Sequence, residues 1–170
     1  MTRRAWILLL AWVAGWLLPG WLCAQEDPGK AEVGKVKVTV YFATDGDVTA
    51  SGPKAAVLAT NIEKRLRTEQ KLRFNHYRLL GEDIQPLFRS YENWAQPLKP
   101  SDEVLVRFEA RSRPTQNATR LDLELWLSRK KILKTDILLE GDRPLWVLGP
   151  EWRGGRLIIA VSLAADKTPQ

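Results

Sequence analysis

From Val104 to Arg111 and from Arg120 to Leu127 every second residue is apolar, and that period of two commits the second half of this chain to strands lying on a core. Leu121, Leu123, Leu125 and Leu127 share one face, with Arg120, Asp122, Glu124 and Trp126 on the other. Val104, Val106, Phe108 and Ala110 alternate in the same way with Leu105, Arg107, Glu109 and Arg111. The polar turn Pro114-Thr115-Gln116-Asn117 between the two runs makes them a hairpin. In it, Arg107 is expected opposite Asp122 and Glu109 opposite Arg120, each pair contributing a few tenths of a kcal/mol.

Further strands are expected from Lys35 to Ala43, from Phe74 to Leu80, from Ile132 to Leu139, from Leu145 to Leu148 and over Leu157 to Leu163. Gly81 to Pro100, broken by Pro86, Pro97 and Pro100, reads as irregular. One helix is expected from Lys54 to about Gln70, entered through Ser51-Gly52-Pro53. Ala55, Leu58, Ala59, Ile62 and Leu66 form its apolar stripe, and Glu63 pairs with Arg67. No fixed-period repeat stands out. Parallel pairing needs crossovers for which the second half has no room. The expected class is therefore α+β: a predominantly antiparallel sheet or small β-sandwich of about six to seven strands, with one amphipathic helix in the N-terminal half.

The N-terminus speaks to location. Arg3-Arg4 precedes an apolar run from Ala5 to Leu18, Pro19-Gly20 breaks it, and Leu22-Cys23-Ala24 precedes the polar Gln25-Glu26-Asp27. This is the pattern of a secretory signal over residues 1–24, cut after Ala24. The rivals are an uncleaved anchor of the same orientation and a lipoprotein signal acylated at Cys23, although Leu22 is larger than lipoprotein cleavage wants. Residues 25–34 then read as a flexible spacer, 35–163 as a single β-rich domain and 164–170 as a tail.

Setting the signal aside removes the single cysteine, Cys23, and with it a disulfide framework, a zinc–cysteine site and a thiol nucleophile. A domain of about 130 residues is held by its core alone. Without Arg3 and Arg4 the net charge falls from +6 to +4, spread among acids and bases, which suits ordinary solubility better than nucleic-acid binding.

Few side chains invite chemistry. His76 is the only histidine, and it lacks a nucleophile and metal-binding company. Asp45-Gly46-Asp47, with Thr44 and Thr49, reads as a turn more readily than as a cation loop, since Val48 and Ala50 interrupt the ligand spacing. Lys64, Arg65, Arg67, Lys71, Arg73 and Arg78 read as the solvated back of the helix, with an anionic contact as the functional alternative. Asn117-Ala118-Thr119 fits a glycosylation sequon, which in a bacterial chain carries little meaning. No nucleophile elbow, phosphate loop, dinucleotide fingerprint or zinc-protease helix motif is found. No catalytic residue, cofactor-binding residue or metal ligand is assigned.

Two tryptophans stand out. Trp126 sits among charges on the polar face of the hairpin, where an aromatic either anchors a partner or is covered by a loop such as Gly81 to Pro100. Trp152 lies in the Pro144 to Gly155 turn, rich in glycine, proline and tryptophan. With Arg107 and Arg111 they form the candidate interaction surface.

The run Tyr77-Arg78-Leu79-Leu80-Gly81, the Leu145 to Pro150 turn and Gly155-Arg-Leu-Ile-Ile-Ala-Val161 together resemble small exported bacterial envelope proteins of unknown function, over Lys35 to Leu163. The resemblance implies an envelope setting and a β-rich domain, and no activity. The leading expectation is a non-catalytic module binding another envelope protein. The second is a binder of carbohydrate, anionic envelope polymer or lipid surface. The third is a hydrolase built on Asp45, Asp47, Glu82 and Asp83, which needs two carboxylates about 5–10 Å apart in a cleft.

Overall fold

Val36, Val38, Val40 and Phe42, the apolar half of the first alternating run, are all fully buried, as are Val104, Val106, Phe108 and Leu121. All but Phe42 belong to one apolar cluster, and that cluster joins two sheets face to face. The structure is a computed structural model that describes residues 26–164 other than 116 and 142. The signal, anchor and lipoprotein readings of residues 1–24 lie outside the described residues, as does nearly all of the tail.

The first sheet runs in the order β2-β1-β8-β7, from β1 (Glu32–Thr44), β2 (His76–Phe88), β7 (Leu145–Trp152) and β8 (Gly155–Leu163). The second runs β3-β4-β5-β6, from β3 (Asn93–Ala95), β4 (Val104–Thr115), β5 (Ala118–Leu127) and β6 (Lys130–Glu140). Every pairing is antiparallel. The fold is the α+β class expected, as a sandwich of eight strands rather than six or seven.

The extra strand content lies where prolines suggested an interrupted ladder. β2 continues through Pro86 to Phe88, and β3 follows. Pro86 is tolerated because β2 is an edge strand, where one N–H need not join a ladder. Gly81 makes the close approach possible at mid-strand: a Cβ there would lie 2.1 Å from the Pro97 carbonyl oxygen. β1 also starts early, at Glu32. Residues before it are tied to the end of β2, since the Gly29 carbonyl accepts the Ser90 N–H at 3.1 Å and the Ala31 carbonyl accepts that of Arg89 at 3.0 Å.

The helix is shorter than expected. α1 covers Thr60–Thr68, not Lys54 to Gln70. Its expected first turns are drawn into the first sheet instead, where Ala56 and Leu79 exchange backbone hydrogen bonds of 2.9 and 2.8 Å. Leu58, Leu66 and Leu72 from this region pack against Tyr41, Ala43, Tyr77, Ile158 and Ala160, covering part of the outer face of the first sheet. Burial of Leu66 alone is worth about 1.5–3 kcal/mol. No helix among the described residues is long and apolar enough to cross a membrane.

Candidate interaction surface

The covering of the first sheet leaves the outer face of the second as the broad polar face of the sandwich. Successive side chains of β4 and β5 point alternately in and out, so the leucines enter the core and the intervening residues stand outside. The register there differs from the sequence expectation by one cross-strand pair. Arg107 stands opposite Glu124, Glu109 opposite Asp122, and Arg120 opposite Ser112. The cause is that the ladder extends to Thr115 opposite Ala118, with irregularities in β4 after Ala110 and Ser112 that no periodicity reveals.

That register puts acids side by side. Glu109, Asp122 and Asp136 occupy one row across β4, β5 and β6. Like charges directly opposite are unfavourable, and the neighbouring row offsets them. Arg111 reaches Asp122 at 2.9 Å and Glu109 at 3.6 Å; Lys134 reaches Asp122 at 3.8 Å and Glu124 at 3.5 Å; Arg120 takes Asp136 at 3.2 Å. Arg107 closes the other side on Glu92, Glu109 and Glu124 at 2.5, 3.2 and 3.8 Å.

Glu124 is the hub. Its side chain is only 7 % exposed, though it lies on an outer face, because longer side chains fold over it. Lys131 donates to one oxygen at 3.0 Å and the Trp126 indole N–H to the other at 3.1 Å. The Lys131 ammonium above all, with the indole and Arg107, holds this carboxyl below its ordinary range against the opposing effect of burial.

Trp126 is half-buried, and two neighbours cover it. Trp94 of β3 lies with its ring centre 6.0 Å away at a tilt of 56°, and the Lys131 ammonium sits 5.2 Å from the ring centre. The loop region Gly81 to Pro100 therefore does reach Trp126, through a residue that is itself 37 % exposed. Leu105 stands opposite Trp126 on β4, and Ile132, at an irregularity of β6 next to Lys131, is 45 % exposed. The result is an apolar spot in a charged field whose ion pairs are closed.

Trp152 does not share this surface. Its ring packs edge-on to Phe42 at 5.7 Å, joins the edge of the core, and donates its N–H to Glu103 at 2.8 Å; Arg153 lies over it at 4.3 Å. Arg107 and Arg111 do lie on the Trp126 face, in the ion-pair network. Trp94, Glu92, Lys131 and Lys134 complete it and were not singled out from sequence. The signal available for Trp94 was an aromatic among polar residues, hidden in a stretch whose prolines argued against any strand.

The other sequence candidates are dispersed. His76 is exposed at the start of β2, opposite Thr44. Asp45 accepts the Asn75 N–H at 2.8 Å, and Asp47 caps the short 3-10 turn Val48–Ser51 through the N–H and hydroxyl of Thr49. Glu82 pairs with Lys37 at 2.7 Å, while Asp83 takes Lys99 at 2.8 Å and the Gln96 N–H at 2.8 Å. Glu82 and Asp83 face Thr39 and Val38, so Asp83 stands seven positions along β1 from Asp45, roughly 23 Å at the rise of a strand. Each of these carboxylates has a separate structural role. Among the described residues no group of three or more His, Cys, Asp or Glu is placed to hold a metal ion. The basic residues of the helix are likewise structural in part: Arg67 binds Glu63 and the carbonyls of Phe74 and Asn75.

No protein-family model matches the chain, and neither a curated protein nor a solved structure matches it.

Proposed function

We propose that this chain is an exported, non-catalytic module that binds another protein of the cell envelope through the outer face of its second sheet. One observation carries the reading: the Trp94–Trp126 pair, with Leu105 and Ile132 beside it, is an aromatic spot on an open sheet face ringed by Arg107, Glu124, Lys131 and Lys134. Tryptophan and arginine at the centre of a charged surround is the composition of a protein-binding hot spot. The paired charges around it give register and selectivity without leaving buried charge unpaired. The export half of the reading rests on Arg3-Arg4, the apolar run and Ala24.

The test is cross-linking in intact cells of a C-terminally tagged chain, followed by identification of what travels with it. One reproducible envelope partner, lost on Trp94→Ala or Trp126→Ala, is the expected result. A partner retained at full yield by both variants would overturn the assignment of the face. Intact mass tests export separately: a chain lacking residues 1–24 is expected.

A second reading, binding of wall carbohydrate or anionic polymer, draws on the same spot, because an aromatic plane there lies beside the positive charges of Lys131 and Arg107. Quenching or a shift of tryptophan fluorescence on adding wall fragments, lost at high salt, would favour it over a protein partner.

A further inference from the structure

The four edge strands of the sandwich are not equally exposed to pairing. β2 is occupied by Ala56 at Leu79, and its Pro86 carbonyl accepts the Asn93 side chain. β3 is three residues long. β7 carries Gly149 and Pro150, and Arg156 occupies the Gly149 carbonyl. β6 is different. It runs eleven residues without proline or glycine, pairs with β5 on one side, and exposes Ile132 and Leu138 at 45 % and 42 %. Past the irregularity at Ile132 the strand is regular from Leu133 to Glu140, and an edge of this kind is a template for another strand.

We propose that the occupant is β6 of a second copy, paired antiparallel about a twofold axis at Thr135. That register sets Leu133 against Ile137 and Lys134 against Asp136, each pair occurring twice by symmetry, and brings Ile132, at the irregularity where β6 departs from the ladder, toward Leu138. The two exposed apolar residues of the strand therefore cover each other, and Leu133 and Ile137, already packed on the rim of the core, lose their remaining contact with water. Residues directly opposite in an antiparallel pair point to one face, so inner pairs with inner and outer with outer.

The charges fix the register. Moving the axis one residue in either direction places Lys134 against Lys134 or Asp136 against Asp136. Of these three, only the axis at Thr135 turns both into opposite-charge pairs. Lys134 and Asp136 are 58 % and 56 % exposed and so accessible for a second partner beyond their contacts within the chain. Lysine on an edge strand ordinarily blunts it against pairing; here the same lysine selects one register. The product is a continuous sheet of two second sheets, an isologous dimer. The inference does not rest on the partner proposed for the Trp94–Trp126 face, but it shares Ile132 and Lys134 with the border of that face, so it is read from solution mass and not from partner recovery.

The test is the solution mass of the full chain by light scattering or sedimentation, up to about 100 µM, the weak end for a specific contact. The wild type is expected as a dimer. Lys134→Asp and Asp136→Lys each place like charges across both symmetric pairs, and each is expected to weaken the dimer roughly tenfold or more. Mixing the two variants restores opposite charges in a heterodimer, which is expected at wild-type strength. Thr135→Cys in a Cys23→Ser background is expected to cross-link on mild oxidation, because opposite residues on the axis lie close enough for a disulfide. That measurement decides the matter if a charge variant fails to fold. A monomeric wild type, single charge variants that dimerise like wild type, or a Thr135→Cys chain that stays uncross-linked would each overturn the proposal.

Discussion

Trp94 and Trp126 meet across a strand to which neither belongs. β4 runs between them, with Arg107 opposite Trp94 and Leu105 opposite Trp126, so the ring contact is diagonal, with centres 6.0 Å apart. This contact gives the three-residue β3 an anchor that its few backbone bonds do not supply. The two residues then have separable roles: Trp126 supports the face from beneath, and Trp94 presents it. Trp126→Ala is expected to cost about 2 kcal/mol in urea unfolding, through lost packing and a Glu124 oxygen stripped of its donor. Trp94→Ala, 37 % exposed, is expected to cost less than about 1 kcal/mol while abolishing partner recovery as fully as Trp126→Ala.

Gly155 opens β8 at a crowded point of the sandwich. A Cβ there would lie 2.4 Å from Phe42 Cε2 and 2.5 Å from the Ala43 carbonyl oxygen, and backbone cannot rotate away as a side-chain tip can. Phe42 is fully buried and in turn seats Trp152. Gly155→Ala is therefore expected to destabilise by about 2–3 kcal/mol, with a change in near-ultraviolet circular dichroism from the displaced Trp152. Gly141→Ala, where no atom lies within 4 Å, has no such clash and serves as the comparison, its cost limited to the positive φ of 54°.

Asp83 gives the fold an acid limit. Burial pushes its carboxyl up, but Lys99, the Gln96 N–H and Gln85 together outweigh that and hold it below the ordinary 3.8. The folded state thus binds this proton less readily than the unfolded chain. Its contribution is complete well above pH 3.8 and falls away as pH drops through 3.8 toward the lower folded value. Glu124, held below 4.5 chiefly by Lys131, acts in the same direction. Stability measured by denaturant is expected to fall steeply below about pH 4. Asp83→Asn is expected to flatten that limb and to cost about 1 kcal/mol at neutral pH, where the Lys99 pairing is lost.

Alternation was a sound guide wherever a strand lays every second side chain on the core between the two sheets. Val36 to Phe42, Val104 to Phe108 and Leu121 to Leu127 were all readable for that reason, although Thr39, Tyr41, Asp122 and Glu124 on the other face are buried as well, by the helix region or by longer side chains. It failed where tertiary contacts override local preference. Ala55, Leu58 and Ala59 have helical spacing, yet Ala56 finds a backbone partner in Leu79, and the sheet takes the segment that the helix would have used. Pro86 argued against a strand, but its objection lapses on an edge, and edge position is a property of the whole fold. The candidate surface was half readable for the same reason. Trp126, Arg107 and Arg111 lie on strands that the pattern reveals, whereas Trp94 arrives from the proline-rich stretch, and Glu124 becomes a hub only once the pairing of Thr115 with Ala118 sets the register. Trp152 looked free because its loop is rich in glycine and proline, and only the packing of Phe42 shows why it is not.

The join between α1 and the first sheet depends on one arginine. Arg67 donates to Glu63 at 2.7 and 3.0 Å, to the Phe74 carbonyl at 3.0 Å and to the Asn75 carbonyl at 2.7 Å, and its guanidinium stacks 5.4 Å from the ring centre of Tyr77. Tyr77, buried, donates to the Leu72 carbonyl and accepts the Phe74 N–H, both at 2.8 Å, so the arginine and the tyrosine together close the stretch that returns from helix to strand. A lysine keeps the charge but cannot satisfy a carboxylate and two carbonyls from one plane, nor stack as broadly. Arg67→Lys is expected to destabilise by about 1–2 kcal/mol and Arg67→Ala by somewhat more. Hydrogen exchange of the backbone from Thr60 to Asn75 is expected to quicken in both variants, while the β4–β5 hairpin keeps its protection, because the helix packs on the first sheet alone. Equal loss of protection in the hairpin would mean that the helix supports the whole sandwich and not only the face it covers.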